Sequence, residues 1–260
     1  MKKIFTLLLV IMLAVCSFVA CGSAEDQGEG EADGDAKTYI IASDTTFAPF
    51  EFQDETGAFV GVDVDILSAI AENQGFAYEI QHLGFSAAVT ALESSQADAV
   101  IAGMSITDER LEKYDFSNPY YDSGVVMALA GDNADIASYE DLAEKTVAVK
   151  TGTEGATFAE SIKDQYGFEV AYFDESPFMY EAVKTGNAVA CFEDYPVMGY
   201  GISQGNGLKM VTDMEKTSSY GFAVMKGANP ELIEMFNTGL ENIKADGTYQ
   251  AILDKYIVAE

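Results

Sequence analysis

Basic residues are scarce in this chain: 14 lysines and arginines stand against 43 aspartates and glutamates, a formal charge of −29 at pH 7. That imbalance repels nucleic acid and anionic lipid headgroups over any distance that salt leaves unscreened, which argues against a polyanion-binding role. Its plain consequence is solubility. Histidine is rarer still: His82 is alone, so a His-based metal or catalytic cluster is excluded, and His82 reads as a surface strand residue. Cysteine occurs three times, at Cys16, Cys21 and Cys191, and the first two sit in the leading segment. The remainder holds one thiol and no internal disulfide; beside Phe192, Cys191 reads as buried packing. Beyond Lys37 no apolar run reaches the ~20 residues of a membrane span. The glycines around Lys150 lack the P-loop spacing, so no nucleotide motif is present.

What the chain does have is enough apolar material, 48% over 260 residues, to bury a full core. At its start Lys2 and Lys3 precede an apolar stretch from Ile4 to Ala20, followed by Val19-Ala20-Cys21-Gly22-Ser23. This resembles a bacterial lipoprotein signal, with residues 1–20 removed and Cys21 carrying the lipid. Phe18 departs from the usual leucine-like residue, which leaves an ordinary cleaved secretory signal as the alternative. From Ser23 to Ala36 there is no large apolar residue, and Glu25, Asp26, Glu29, Glu31, Asp33 and Asp35 alternate with glycines. Residues 21–36 therefore read as a solvated, disordered tether that holds the folded part off a membrane.

Past the tether, short apolar runs alternate with helical periods, the mark of an α/β fold. Tyr39 to Ala42 reads as a strand, and Val64, Leu67 and Ala71 line a helix that Gly75 ends. Tyr78 to Gln81 is a second strand, Ser86 can cap a helix carrying Val89 and Leu92, and Ala99 to Ala102 is a third, buried strand. A second cycle begins near Gly124, with strands at Val125 to Ala130, Thr146 to Val149, Val170 to Phe173 and Ala188 to Phe192. Helices follow Gly152, Ser176 and Asp194. Tyr220 to Met225 is again strand-like, and Asn229-Pro230 opens a helix with Ile233, Phe236, Leu240 and Ile243 on one stripe, interrupted at Gly247. In such sheets ligands sit beyond the carboxyl ends of strands, where Asp44, Phe85 and Gly103 fall.

The run Gly103-Met104-Ser105-Ile106-Thr107-Asp108-Glu109-Arg110 delivers one arginine just past the third strand. A guanidinium can hold a planar carboxylate through two parallel hydrogen bonds, so this position fits a small carboxylic acid; a capped surface turn is the plainer alternative.

Together with Ser43-Asp44-Thr45-Thr46-Phe47-Ala48-Pro49-Phe50-Glu51-Phe52, Gly61-Val62-Asp63-Val64-Asp65, Phe116-Ser117-Asn118-Pro119-Tyr120-Tyr121 and Val149-Lys150-Thr151-Gly152-Thr153, this run resembles the extracellular amino-acid-binding proteins of ABC importers, near the glutamine-binding branch. The likeness covers the chain from Lys37 to its end. It implies a two-lobed, type II periplasmic-binding-protein-like fold, each lobe a sheet flanked by helices. Lobe 1 would comprise residues 37–120 and 222–260 and lobe 2 residues 124–218, joined by hinge strands near Tyr120 to Gly124 and Ser219 to Ala223. It further implies a monomeric receptor without catalytic activity, cofactor or metal, lipid-anchored outside the cell membrane, that hands an amino acid to an ABC permease driven by its ATPase subunits.

Carried over position by position, the resemblance assigns Arg110 to the ligand's α-carboxylate, helped by the backbone N–H groups of Ser105 and Thr153. Asp194, the Gly103 carbonyl and the Ser105 hydroxyl would take the ammonium protons. Phe47 and Phe85 would sandwich the aliphatic part, core packing being their ordinary role. Asp44 and Lys150 are left for the side chain, and an acid and a base facing one group suit the carboxamide of glutamine. Two positions depart from the family's pattern. Glu193 replaces a histidine of similar glutamine-binding proteins and either favours a basic ligand such as arginine or points to solvent. Glu154 replaces a small residue, though an acid in a helix's first turn is ordinary dipole complementarity. Two rival readings are an exported cyclohexadienyl dehydratase-like enzyme, with Glu193 as its acid, and a detached sensor domain.

Overall fold

The computed structural model of the protein describes residues 37–257. The expected signal 1–20, lipid-bearing Cys21 and tether 21–36 lie outside the described residues. The described chain opens with β1 (Thr38–Ser43), β2 (Thr46–Phe47), β3 (Glu51–Gln53) and β4 (Phe59–Val60), then α1 (Val62–Gln74), β5 (Ala77–His82), α2 (Phe85–Glu93), β6 (Ala99–Val100), α3 (Asp108–Lys113) and β7 (Tyr114–Phe116). Next come β8 (Tyr121–Ala130), β9 (Thr146–Lys150), α4 (Glu154–Tyr166), β10 (Glu169–Phe173), α5 (Ser176–Lys184), β11 (Ala190–Asp194), α6 (Tyr195–Ser203) and β12 (Leu208–Met210). The last elements are β13 (Glu215–Tyr220), β14 (Ala223–Met225), α7 (Pro230–Ala245) and α8 (Thr248–Tyr256).

These strands form two larger sheets, one to each lobe. The first runs β5-β1-β6-β14-β7, with β5, β1 and β6 parallel and β14 antiparallel to both its neighbours. The second runs β10-β9-β11-β8-β12, with β13 also pairing β8. A small antiparallel ribbon, β2-β3-β4, accompanies the first lobe. Both crossings between the lobes lie side by side, where Tyr121 pairs with Tyr220 and Asp122 with Ser219.

Strand β8 explains why the second lobe needs helices on both faces. Val125, Met127 and Leu129 enter one core with Phe158 of α4, while Val126 and Ala128 enter another with Met179 of α5 and Met198 of α6. A central strand covered on both sides reads as a continuous apolar run rather than an alternating one. In the first lobe, α1 and α7 pack on each other and on the sheet, with Phe222 stacked on Phe236 at 4.5 Å between ring centroids.

Several local expectations change. The buried face of α1 keeps Leu67 and Ala71 of the expected stripe and adds Val62, Ile66 and Ile70, while Val64 is half-buried and Asp63 is buried instead. Gly75 does end this helix, in a left-handed turn at φ 72°. Helix α2 starts at Phe85 with extended Gly84 as its N-cap, so Ser86 lies inside its first turn. In α7 Leu232 is the fully buried residue of the first turn, while Ile233 is only partly buried. The expected strand Tyr220 to Met225 is two strands, broken at Gly221-Phe222 where the chain leaves one sheet for the other.

Candidate functional site

Four strand ends converge between the lobes. Asp44 follows β1, Gly103 and Ser105 follow β6, Lys150 ends β9 with Thr153 capping α4 just beyond, and Asp194 ends β11. With Phe47, Phe85, Ala102, Arg110 and Glu154 they line one small cavity. All nine positions assigned to ligand binding by resemblance are thus brought to one place. A larger, open groove on the hinge side is lined mainly by tyrosines and prolines, among them Tyr121, Tyr195, Tyr200 and Tyr249. No ion pair among the described residues spans it, so the small charged cavity is the better candidate.

At one end of the cavity Lys150 Nζ pairs with Asp44 Oδ2, with both side chains 1% exposed. Asp44 is held by its own loop: Oδ1 accepts the Thr45 N–H at 2.6 Å and the Thr46 N–H at 3.3 Å. Lys150 also lies 3.3 Å from the Thr46 hydroxyl and 5.2 Å from the centre of the Phe47 ring. Lys150 belongs to one lobe and Asp44 to the other, so this desolvated pair bridges them.

At the other end Arg110 reaches across in the opposite sense. Thr107 caps α3 by accepting the Arg110 N–H at 3.2 Å, which fixes the base of the side chain. Its guanidinium donates from Nη1 to the Ser105 carbonyl (2.9 Å) and from Nη2 to the Gly152 carbonyl (3.1 Å), and lies 3.6 Å from Glu154 Oε1. Burial lowers the Arg110 pKa, against the pull of Glu154 and Asp194, yet the group remains a cation. Ser105 faces Tyr220 in a single antiparallel bridge whose bonds run through its neighbours, Ile106 N–H to Ser219 O at 2.8 Å and Gly221 N–H to Met104 O at 3.0 Å. That pairing leaves the Ser105 N–H on the same side as its carbonyl, towards Arg110. The Thr153 N–H is only loosely engaged, 3.4 Å from Lys150 O.

Asp194 accepts the Tyr220 hydroxyl at 2.6 Å, and Tyr220 in turn receives the Ser123 hydroxyl at 3.0 Å. Burial and the neighbouring Glu193 carboxyl push the Asp194 pKa up to about 7, although the Tyr220 bond and Arg110 pull it down. A carboxyl so poised gains most from a cation brought against it.

Beneath the cavity sits a group the sequence reading passed over. Asp63 Oδ2 accepts the Gly103 N–H at 2.8 Å and the Tyr120 hydroxyl at 2.7 Å. Glu51, with no exposure, meets Asp63, and burial followed by the Asp63 charge drives the Glu51 pKa well above the usual carboxylate range. Asp63 is itself raised, by burial, to about 6. Both Glu51 oxygens and Asp63 Oδ1 are buried without another partner, and a proton on one Glu51 oxygen would let it donate to Asp63. This pair anchors Gly103, whose φ of 52° and contact with the Phe47 ring exclude a side chain.

Glu193 corrects an expectation. It is 2% exposed and faces neither solvent nor cavity: its oxygens accept the Ser176 hydroxyl (3.1 Å), the Tyr180 hydroxyl (2.8 Å) and the Asp194 N–H (2.9 Å). Alternation along β11 sends it to the side of α5 while Asp194 turns to the cavity. Burial raises its pKa.

With this geometry in view, the chain belongs to the bacterial extracellular solute-binding proteins, family 3, whose sequence profile matches residues 39–259. Its fold is the two-lobed type II periplasmic-binding-protein arrangement, and its class is the amino-acid solute-binding protein of an ABC importer. It is 30% identical to the arginine-binding extracellular protein ArtP of Bacillus subtilis over the whole of both chains. It is 42% identical to the second substrate-binding domain of GlnP from Lactococcus lactis in an open conformation, covering 89% of this chain and all of that one, with a TM-score of 0.61. An ancestral arginine-binding protein, solved with glutamine and with arginine, is 36% identical over 85% of this chain and 98% of its own, with a TM-score of 0.78.

Proposed function

We propose that this protein captures a free polar amino acid outside the cell, glutamine by preference, and delivers it to an ABC permease whose ATPase subunits drive import. The observation that carries this reading is the convergence of two complementary charge pairs on one cavity, each drawing on both lobes. Arg110, with the Ser105 and Thr153 N–H groups, suits an α-carboxylate, and Asp194, the Gly103 carbonyl and the Ser105 hydroxyl suit an ammonium. Phe47 and Phe85 flank the middle. Lys150 and Asp44 offer a donor and an acceptor to a carboxamide, parting from each other to do so. The ligand touches both lobes, so it favours the closed form by its differential affinity for the two arrangements.

Lobes 37–120 with 222–260 and 124–218, a monomeric state, and a lipid anchor at Cys21 behind signal 1–20 and tether 21–36 belong to the same proposal. The enzymatic alternative loses its acid, because Glu193 is turned towards α5. Capture of a basic amino acid such as arginine has one observation in its favour, the Glu154 carboxylate on the cavity wall. Calorimetric titration with the twenty amino acids tests the proposal. Saturable one-to-one binding, strongest for glutamine, is the expected result; binding of none would sink it.

A further inference from the structure

Glu154 is on the cavity wall, yet neither the backbone clamp nor the Lys150–Asp44 pair uses it. It occupies the first position of α4, 15% exposed, with Oε1 3.6 Å from Arg110 Nη2. Its backbone placement alone would satisfy the helix dipole, but that does not require the carboxylate to turn inward across the lobes. Counting formal charges on the wall, Arg110 and Lys150 face three carboxylates, Asp44, Asp194 and Glu154. Without Glu154 the wall is neutral and suits a zwitterion; with it, the closed cavity is one negative charge in excess. Such an excess acts on the net charge of whatever is enclosed, because closure removes the water that would screen it.

We propose that Glu154 is a specificity-determining residue that sets the net charge accepted by the cavity: it rejects anionic amino acids such as glutamate and admits neutral or cationic ones. The inference rests on the capture reading above. Specificity here comes from a repulsive element aimed at the wrong ligand, placed beside the arginine that every amino acid must use. Since Glu154 also touches Arg110, its carboxylate competes with the ligand's own α-carboxylate. That competition weakens all ligands alike, whereas the charge effect separates them.

Titration of arginine, glutamine and glutamate into the wild-type protein and the E154Q, E154S and E154D variants, at one pH and low salt, tests this. In E154Q and E154S, glutamate should gain at least about tenfold over glutamine while arginine loses ground to it; E154D should keep the wild-type order. Equal shifts for all three ligands, or no shift, would overturn the proposal and leave amino-acid capture standing. Failure of the wild-type protein to bind any of the three would remove the capture reading itself.

Discussion

The two ends of the cavity solve opposite problems with the same kinds of residue. At the side-chain end Lys150 and Asp44 satisfy each other across the lobes, buried together. At the backbone end Arg110 and Asp194 face the same space without pairing: Arg110 rests on carbonyls of Ser105 and Gly152, and Asp194 on the Tyr220 hydroxyl. Apart from the Glu154 carboxylate 3.6 Å from Arg110, neutral partners hold those two charges in position, so a dipolar ligand gains most there. The self-paired end must open its own ion pair before it helps a ligand, and is therefore suited to discriminate. On the proposed reading, recognition of what all amino acids share and choice among them would be divided between the ends.

The sharpest break in this comparison is Arg110→Ala. It removes the proposed carboxylate partner and should weaken every amino acid at least about a thousandfold, ~4 kcal/mol, by isothermal titration. Next is pH. A proton held by Asp194 below its pKa of about 7 must leave before an ammonium can replace it. Affinity should be flat above about pH 8 and fall roughly tenfold per unit below 7, with proton release detectable in buffers of different ionisation enthalpy. A flat profile from pH 8 to 5 would mean that Asp194 does not meet the ligand. Lys150→Met should act more gently and unevenly, costing glutamine on the order of tenfold to a hundredfold and changing the rank order of ligands. If it instead weakened all ligands as uniformly as Arg110→Ala, the two ends would not divide the work.

The smallest effect concerns the support beneath. Glu51 and Asp63 carry pKa values raised above those of the unfolded chain, so the folded state binds protons more tightly and stability falls as pH rises through the folded values. Glu51→Gln keeps a donor towards Asp63 without a titrating proton. It should flatten the decline between pH 5 and 8 by ~1–2 kcal/mol in denaturant melts, leaving glutamine affinity within about threefold.

Much of this was legible before the fold. The alternation of runs around Tyr39, Ala99, Thr146 and Ala188 marked strands whose ends carry the cavity residues, because buried parallel strands have little choice but to be apolar throughout. Strands β2, β3 and β4 are two or three residues long, too short to impress a period on the sequence. Glu193 and Asp194 are adjacent acids, and only the strand's register decides which faces the cavity. Asp63 did leave a signal: it lies on the helical stripe of Ile66, Leu67 and Ile70, where an acid is out of place unless it is bonded. Glu154 looked like an ordinary helix-start acid, and only the approach of Arg110 from the other lobe gives it a further meaning.

A crystal structure of the protein soaked with glutamine bears most directly on the division between the two ends. The expected result is an α-carboxylate on the Arg110 guanidinium at about 2.7–3.2 Å, an ammonium on Asp194, and the carboxamide between Asp44 and Lys150. Glutamine seated in the tyrosine-lined groove, with Arg110 still on Gly152 and Glu154 and the Lys150–Asp44 pair intact, would contradict it.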